Sequence, residues 1–234
     1  MNAAPSLCPE LLATCRQLVT EFHQIPQERR RLLEQLANYL IAKYRAGKTP
    51  QVTVICTHNS RRSHMGQLWL AAGADFFGLP ELRSFSGGTE ATAFNPRAVD
   101  ALRAVGFWIE TEVAGDNPRY AVCWQKAQEP YRAFSKAYVT PPNPVENFAA
   151  IMVCTEADAE CPYVMGCDYR LALPYHDPKA ADGTPEEAAR YLERAHDIGR
   201  EILYCLNHSC RSLKTDATSP VASETLDCGE CVAV

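Results

Sequence analysis

The sequence VTVICTHNSRRSHMGQLWL, residues 52–70, contains three patterns that together decide the fold. The apolar run 52–55 has the length of a buried strand, and apolar side chains recur at helical spacing over residues 65–72. A strand that leads through a tight turn into a helix is typical of parallel α/β sheets, whose functional loops lie at the carboxyl ends of the strands. The turn 56–63 is therefore the first candidate site.

The same alternation of strand and helix continues along the chain. Buried or alternating apolar patterns predict further strands at 82–86, 149–154 and 169–173, and helices at 96–105 and from 184 onward. We therefore expect an α/β fold, a three-layer sandwich around a mostly parallel four-stranded sheet.

The chain divides into three regions by composition. Residues 1–50 carry a pair of amphipathic helices, which we expect either to pack on the sheet or to form the face of a homodimer. Residues 51–206 are predicted to be the catalytic domain, with a hairpin or loop insertion at about 115–147. The polar residues 207–234 have no periodic pattern, which indicates a flexible tail.

Composition excludes several classes of function. The 234 residues are 47% hydrophobic with a formal net charge of -5, so no basic surface is expected to attract nucleic acid. No apolar stretch approaches about 18 residues and no leader pattern is present, which favours a cytoplasmic protein without a membrane partner. Structural disulfides are rare in that compartment, so the eleven cysteines indicate thiol chemistry or metal binding.

The turn 56–63 has the composition of an oxyanion site. Inward-pointing backbone N–H groups, a helix N-terminus and the guanidinium of Arg62 would surround a tetrahedral anion. The same positive field favours the thiolate of Cys56, which makes Cys56 a nucleophile. The alternative is that Cys56 is a buried structural cysteine and Arg62 a surface arginine without a catalytic role. The residues predicted to bind the anion or support the loop are Thr57, His58, Asn59, Ser60, Arg61 and Ser63, of which Asn59 and Ser63 would brace the turn and Ser63 would also stabilise the thiolate.

Two further polar residues follow predicted strands. Cys154 and Asp177 would lie at the same sheet edge as the turn. The alternatives without a functional role are that Asp177 only forms a turn, and that Cys154 and Cys161 are ordinary buried thiols. His64 and His176 adjoin the predicted site, where we expect them as polar residues of its rim.

The stretch CTHNSRRS resembles the active-site loop of the low-molecular-weight protein tyrosine phosphatase superfamily, and in particular of its thioredoxin-coupled arsenate reductase branch. That loop reads Cys-x-x-Asn-x-x-Arg-Ser. The similarity spans about residues 51–204 and does not cover residues 1–50, the insertion 115–147 or the tail. Three more stretches match the branch in the same order: FSGGTEATAFNPRAVDALRAVGFWI, IMVCTEADAECP and HDPKAADGTPEEAARYLERAHDIGREI. The resemblance implies a flavodoxin-like fold.

The resemblance also implies a reaction. Cys56 would attack arsenate held by Arg62, and Asp177 would protonate the departing hydroxide. Cys154 would then attack the adduct, and Cys161 would take over the disulfide for reduction by thioredoxin or another thiol reductant. The segment 154–161 would have to move for these exchanges. No bound cofactor or metal is implied, and the absence of aromatic residues after Asp177 favours arsenate or a phosphate-like oxyanion over an aryl phosphate.

Two departures and two alternatives complete the prediction. His58 stands where the family usually has glycine, so either the backbone there is left-handed, which histidine tolerates, or the side chain narrows the pocket. Gln67 replaces a glutamate of the potassium site in some reductases, so no potassium requirement is expected. One alternative is a tyrosine phosphatase or small phosphomonoester hydrolase that uses only Cys56, Arg62 and Asp177. The other is a zinc-binding or redox-sensing protein whose candidate ligands or switches are Cys205, His208, Cys210, Cys228 and Cys231.

Overall fold

A computed structural model describes residues 7–79, 81–126, 129–160 and 163–217. Its helices and strands follow one another along the chain as α1 (Pro9–Thr20), α2 (Gln27–Arg45), β1 (Gln51–Cys56), α3 (Arg62–Phe77), β2 (Arg83–Gly88), α4 (Pro96–Ala104), β3 (Trp108–Val113), β4 (Arg119–Cys123), β5 (Tyr131–Ala133), β6 (Phe148–Met152), α5 (Thr155–Glu160), β7 (Cys167–Ala172) and α6 (Glu187–Ala217).

Four parallel strands form the central sheet in the order β2-β1-β6-β7. Ile55 of β1 pairs with Gly87 on one side and with Met152 on the other, so the strand ends are aligned. β1 and β6 are buried along nearly their whole length, which explains their continuous apolar sequences. The predicted parallel four-stranded sheet is confirmed, and its carboxyl edge brings the loops after β1, β6 and β7 together.

Helix α6 is the centre of the helical packing. It contacts α3, which itself packs on β1 and β2, and it also contacts α1, α2 and α4. Gly199 permits a close approach of α6 to α3 and α1, because a Cβ atom there would lie 2.6 Å from the Trp69 ring and 3.0 Å from Leu18. The N-terminal helices pack mainly on α6, and α2 also contacts the sheet at β7.

The predicted insertion forms a second, antiparallel sheet in the order β3-β4-β5. It starts at Trp108, earlier than the expected residue 115, and the alternating Tyr120 and Val122 turn inward as the sequence pattern suggests. Beyond β5 the chain returns to the central sheet, where the Gly88 N–H donates to the Lys136 carbonyl at 2.9 Å. The insertion therefore touches the end of β2, close to the candidate site.

Helix α6 continues to Ala217, so the polar segment predicted to be flexible from residue 207 begins as helix. Leu206, Ser209 and Cys210 are buried on one face of it, at spacings of three and four residues that keep them against the core. Residues 218–234, including Cys228 and Cys231, lie outside the described residues. Among the helices of the described ranges, none combines the length and apolar character needed to cross a bilayer.

Candidate active site

The turn between β1 and α3 has one left-handed residue, and it is Asn59, with φ of 44°. Of the two alternatives for His58, the left-handed backbone is not the one that the structure shows. Asparagine tolerates positive φ well because its short polar side chain bonds locally, so the strained position falls on the residue better suited to it. The His58 ring is half exposed and lies 3.0 Å from the Glu90 carboxylate.

The nucleophile candidate is held by side chains of its own turn. Cys56 is buried, and its Sγ lies 3.0 Å from the hydroxyl oxygen of Ser63. The Asn59 side-chain amide donates to that same oxygen at 2.9 Å. Because Ser63 accepts from Asn59, its own proton is free to point at the sulfur, where it would stabilise a thiolate. Asn59 and Ser63 are thus bonded to each other through their side chains.

The insertion supplies a second layer of support that the sequence did not reveal. The Lys136 N–H donates to the Asn59 side-chain oxygen at 2.9 Å, and the Ser135 hydroxyl donates to the His58 carbonyl at 3.1 Å. Both residues are buried. Residues 135–136 fall in a part of the chain that the family resemblance does not cover, so no motif pointed to them.

A buried cation accompanies this support. Burial lowers the pKa of Lys136 to about 8, and its ammonium lies 4.9 Å from the centre of the Phe134 ring. Burial, and after it the charge of Lys136, holds the pKa of His64 well below its ordinary value. His64 is fully buried and stacks on Phe94 at 3.9 Å, so the prediction that it lies on the rim is wrong, whereas His176 is exposed.

Arg62, the first residue of α3, reaches the loop that follows β7. One guanidinium nitrogen donates to the Tyr175 carbonyl and another to the Asp177 carboxylate, both at 2.7 Å. The Asp177 oxygen that is not bonded to Arg62 accepts the backbone N–H of Lys179 at 3.0 Å and lies 4.0 Å from Arg61. The predicted anion ligand and the predicted acid are therefore paired, and an oxyanion on Arg62 would share or replace the contact with Asp177.

The second cysteine lies beside the same turn. Cys154 is buried, and its Sγ lies 3.5 Å from the hydroxyl of Thr57, the residue that follows Cys56. It accepts the N–H of Ala157 at 3.4 Å, at the start of α5. Within the segment predicted to move, residues Thr155–Glu160 form a six-residue helix, whose Asp158 accepts a bond of 2.5 Å from Arg170. Cys161, the third predicted redox cysteine, lies outside the described residues.

A cavity of about 570 Å³ opens next to Arg62 and Asp177. Arg29 of α2, Glu156 of α5 and Glu201 of α6 also line it, so charges of both signs face its interior. The N-terminal helices therefore contribute one wall of the space beside the predicted site.

Metal ligation has little support in this part of the chain. Across the described ranges, no three His, Cys, Asp or Glu side chains are grouped to hold an ion. Gln67, which replaces the glutamate of the potassium site in some reductases, donates to the Ser84 carbonyl at 3.3 Å. Cys205, a candidate zinc ligand, has no exposed surface, and burial raises the pKa of its thiol.

Comparison with known proteins supports the predicted family. No family model matches the chain. An arsenate reductase from Halalkalibacterium halodurans is 28% identical over 149 residues, which are 63% of this chain and 88% of the relative. Another from Bacillus licheniformis is 27% identical over 150 residues, again 63% and 88%.

The chain is similar to arsenate reductases. An arsenate reductase 2 from Staphylococcus haemolyticus has a higher identity over a shorter stretch, 40% over 60 residues, which are 26% of this chain and 43% of the relative. The predicted resemblance to this branch is confirmed, and with it the prediction that the chain is an enzyme.

Solved structures with a similar backbone include two phosphatases. A low-molecular-weight phosphotyrosine phosphatase from Vibrio cholerae has a TM-score of 0.48 at 16% identity, covering 71% of this chain and 98% of its own. A YwlE arginine phosphatase from Geobacillus stearothermophilus has a TM-score of 0.42 at 14% identity, covering 71% and 94%.

Proposed function

We propose that this protein reduces arsenate to arsenite, with Cys56 as the nucleophile. The observation that carries the proposal is the contact of 3.0 Å between the Cys56 sulfur and the Ser63 hydroxyl, on a turn that ends at Arg62. A thiolate, loop amides and a guanidinium on one turn can bind and attack the same tetrahedral anion. The curated relatives named arsenate reductase support arsenate as that anion.

The first step joins sulfur to arsenic. The Cys56 thiolate attacks the arsenic atom, and one arsenate oxygen departs as water after Asp177 donates a proton to it. Arg62 and the loop amides offset the negative charge on the remaining oxygens. Since Arg62 and Asp177 are bonded at 2.7 Å, oxyanion binding must loosen this pair before Asp177 can protonate the leaving oxygen.

The second step transfers two electrons. The Cys154 thiolate attacks the Cys56 sulfur, a disulfide forms, and the electron pair of the sulfur–arsenic bond stays on arsenic, which leaves as arsenite. The position of Cys154, 3.5 Å from Thr57, supports this assignment. We further propose that Cys161 takes over the disulfide with Cys154 and that thioredoxin or another dithiol reduces it, which restores all three thiols.

The loop after Asp177 supports a small substrate. Residues Pro178–Ala181 form a single 3-10 turn without an aromatic side chain, so nothing on this turn would stack on a phosphotyrosine ring. The turn is therefore consistent with an inorganic oxyanion.

Replacement of single cysteines tests the proposal against the phosphatase alternative. We expect Cys56→Ser to abolish both arsenite formation and aryl phosphate hydrolysis, and Cys154→Ser to abolish arsenite formation alone, because hydrolysis needs only water after the first step. Cys167→Ser, a half-buried cysteine of β7, is the matched control and should retain both activities. Mass spectrometry after arsenate treatment should find a disulfide that includes Cys154. If Cys154→Ser still forms arsenite at the original rate, the cysteine relay is wrong.

A further inference from the structure

The loop that carries Asp177 is held between two arginines. On one side Arg62 donates to the Tyr175 carbonyl and to Asp177, as described above. On the other side lies Arg29 of α2, in the N-terminal region that the family resemblance does not cover. Arg29 and Arg62 line the same cavity.

Arg29 is fixed in place by a bidentate ion pair. Its Nε and Nη2 atoms donate to the two carboxylate oxygens of Glu201 at 2.5 and 2.7 Å, and the Glu201 side chain is only 9% exposed. Parallel bonds of this kind set the orientation of a guanidinium as well as its position. Burial alone would lower the pKa of Arg29, but its bonds with Glu201 and Tyr175 raise it above the ordinary value. Arg29 is therefore a permanent and rigid cation.

Arg29 also contacts the loop 174–177, which carries Asp177. Its Nη1 donates to the Pro174 carbonyl at 3.1 Å, and its guanidinium carbon lies 4.8 Å from the centre of the Tyr175 ring. Tyr175 is thus held by Arg29 through its ring and bonded to Arg62 through its carbonyl. Two residues later the chain reaches Asp177.

We propose that Arg29 is a positioning residue of the active site, which orients the loop 174–177 and with it the proton donor Asp177. This inference rests on the proposed function, because it concerns the same attack by Cys56. It assigns to the N-terminal helices a part in catalysis in addition to packing on α6.

The proposal predicts a selective kinetic defect. A looser loop would misplace the proton donor Asp177 more than it would weaken anion binding by the amides of the Cys56 turn. Misplacing a reacting group by about 1 Å can cost on the order of a hundredfold in rate. We expect Arg29→Met to lower kcat about tenfold or more, and to change KM for arsenate by less than about threefold.

The neighbouring arginine provides a matched control. Arg30 lies on the same helix, but its guanidinium donates only to the carbonyls of Ile25 and His23 near the helix start, at 2.8 and 2.9 Å. Arg30→Met should therefore retain kcat. Each substitution is also made in an Asp177→Asn background, where Arg29→Met should have little further effect because the group that it positions is already disabled.

Three results would overturn the proposal: equal kcat for Arg29→Met and Arg30→Met, an undiminished effect in the Asp177→Asn background, or a defect in KM alone. If Arg29→Met does not fold, Glu201→Gln weakens the same ion pair at nearly constant shape, and it should show the same dependence on Asp177. Every variant is also assayed for aryl phosphate hydrolysis. If the original protein forms no arsenite, arsenate reduction is refuted. If Arg29→Met then slows aryl phosphate hydrolysis and Arg30→Met does not, the positioning role remains supported.

Discussion

Asn59 uses both ends of its side-chain amide in the candidate site. Its nitrogen donates to Ser63 and its oxygen accepts from the backbone of Lys136, while its own backbone adopts the left-handed conformation of the turn. Glycine would adopt that conformation at less cost but could make neither bond. The position therefore requires an asparagine for the support of Cys56 and not only for the shape of the turn.

Lys136 gives a prediction about stability. Its pKa falls from 10.5 to about 8 on folding because its ammonium is buried. Between these values the unfolded chain binds more protons than the folded one, so this residue makes the free energy of unfolding rise with pH across that window. At pH 7 its cost is at its full value, on the order of 3 kcal/mol at about 1.4 kcal/mol per pKa unit.

Lys136→Met should therefore stabilise the protein at pH 7, and its advantage over the original chain should shrink as the pH rises from about 8 to 10.5. Urea unfolding at several pH values measures this difference. Lys48→Met, at an exposed lysine after α2, should give a constant difference. A Lys136→Met advantage that does not change with pH would show that the ammonium is not desolvated.

The sequence indicated where residues close to strand ends would lie. Cys56 and Asp177 were expected at one edge of the sheet, with Arg62 at the end of the turn, and the structure places Arg62 2.7 Å from Asp177. Their roles in the reaction stay predictions. Ser135 and Lys136 were not predictable, since they reach the turn only after the chain has passed through the second sheet. His64 was misplaced because adjacency to Ser63 in sequence was taken for adjacency in space, whereas successive helical residues point about 100° apart.

At the scale of elements, α5 is the part of the site best suited to move. A helix of six residues is not stable by itself in water, so α5 depends on contacts at its ends. The N–H of Ala157 is bonded to the Cys154 sulfur, and Arg170 of β7 bonds both the backbone and the side chain of Asp158. The proposed attack of Cys154 on Cys56 would change the first of these contacts.

Removal of the second contact should make α5 open more readily. We expect Arg170→Met to speed amide hydrogen exchange across residues 155–160 by roughly fivefold, which corresponds to about 1 kcal/mol for a partly exposed ion pair. Arg132→Met, which breaks an exposed pair with Glu112 in the second sheet, is the control and should not alter exchange in α5. Unchanged exchange in Arg170→Met would show that α5 is held by its backbone and Cys154 alone.

The length of α6 shows how an element boundary escapes prediction. Its buried face continues regularly through Ile202, Cys205, Leu206, Ser209 and Cys210. The helical spacing was present in the sequence, but serine and cysteine are weaker signs of a buried face than large apolar residues, and the surrounding residues are polar. A tail and the end of a helix are therefore hard to distinguish until the partner surface on α3 is known.

For the molecule as a whole, the packing at Gly199 brings α1 of the N-terminal region together with α3 and α6. The Trp69 ring lies over this glycine, is fully buried, and packs edge-on against Phe107 at 5.4 Å between ring centres. A side chain at residue 199 would therefore meet a rigid ring with no space to withdraw.

Gly199→Ala should destabilise the protein although alanine is the better helix former. Its propensity gain of about 1 kcal/mol is opposed by an overlap at 2.6 Å, and overpacking of this kind costs about 1–3 kcal/mol or more. Gly73→Ala in α3 is the matched comparison, since the atom in its way is the flexible tip of Leu206 at 2.7 Å. Thermal unfolding should rank Gly199→Ala below Gly73→Ala, and the reverse order would mean that Trp69 can shift.

The bond between Lys136 and Asn59 also bears on the order in which the chain folds. It joins residues 77 positions apart, whereas β1, its turn and α3 are contiguous. Closing so long a loop has an entropic cost that local structure does not have, so we expect this contact to form after β1, its turn and α3. A refolding chain would then complete the bonds that support the Cys56 turn only when the second sheet docks.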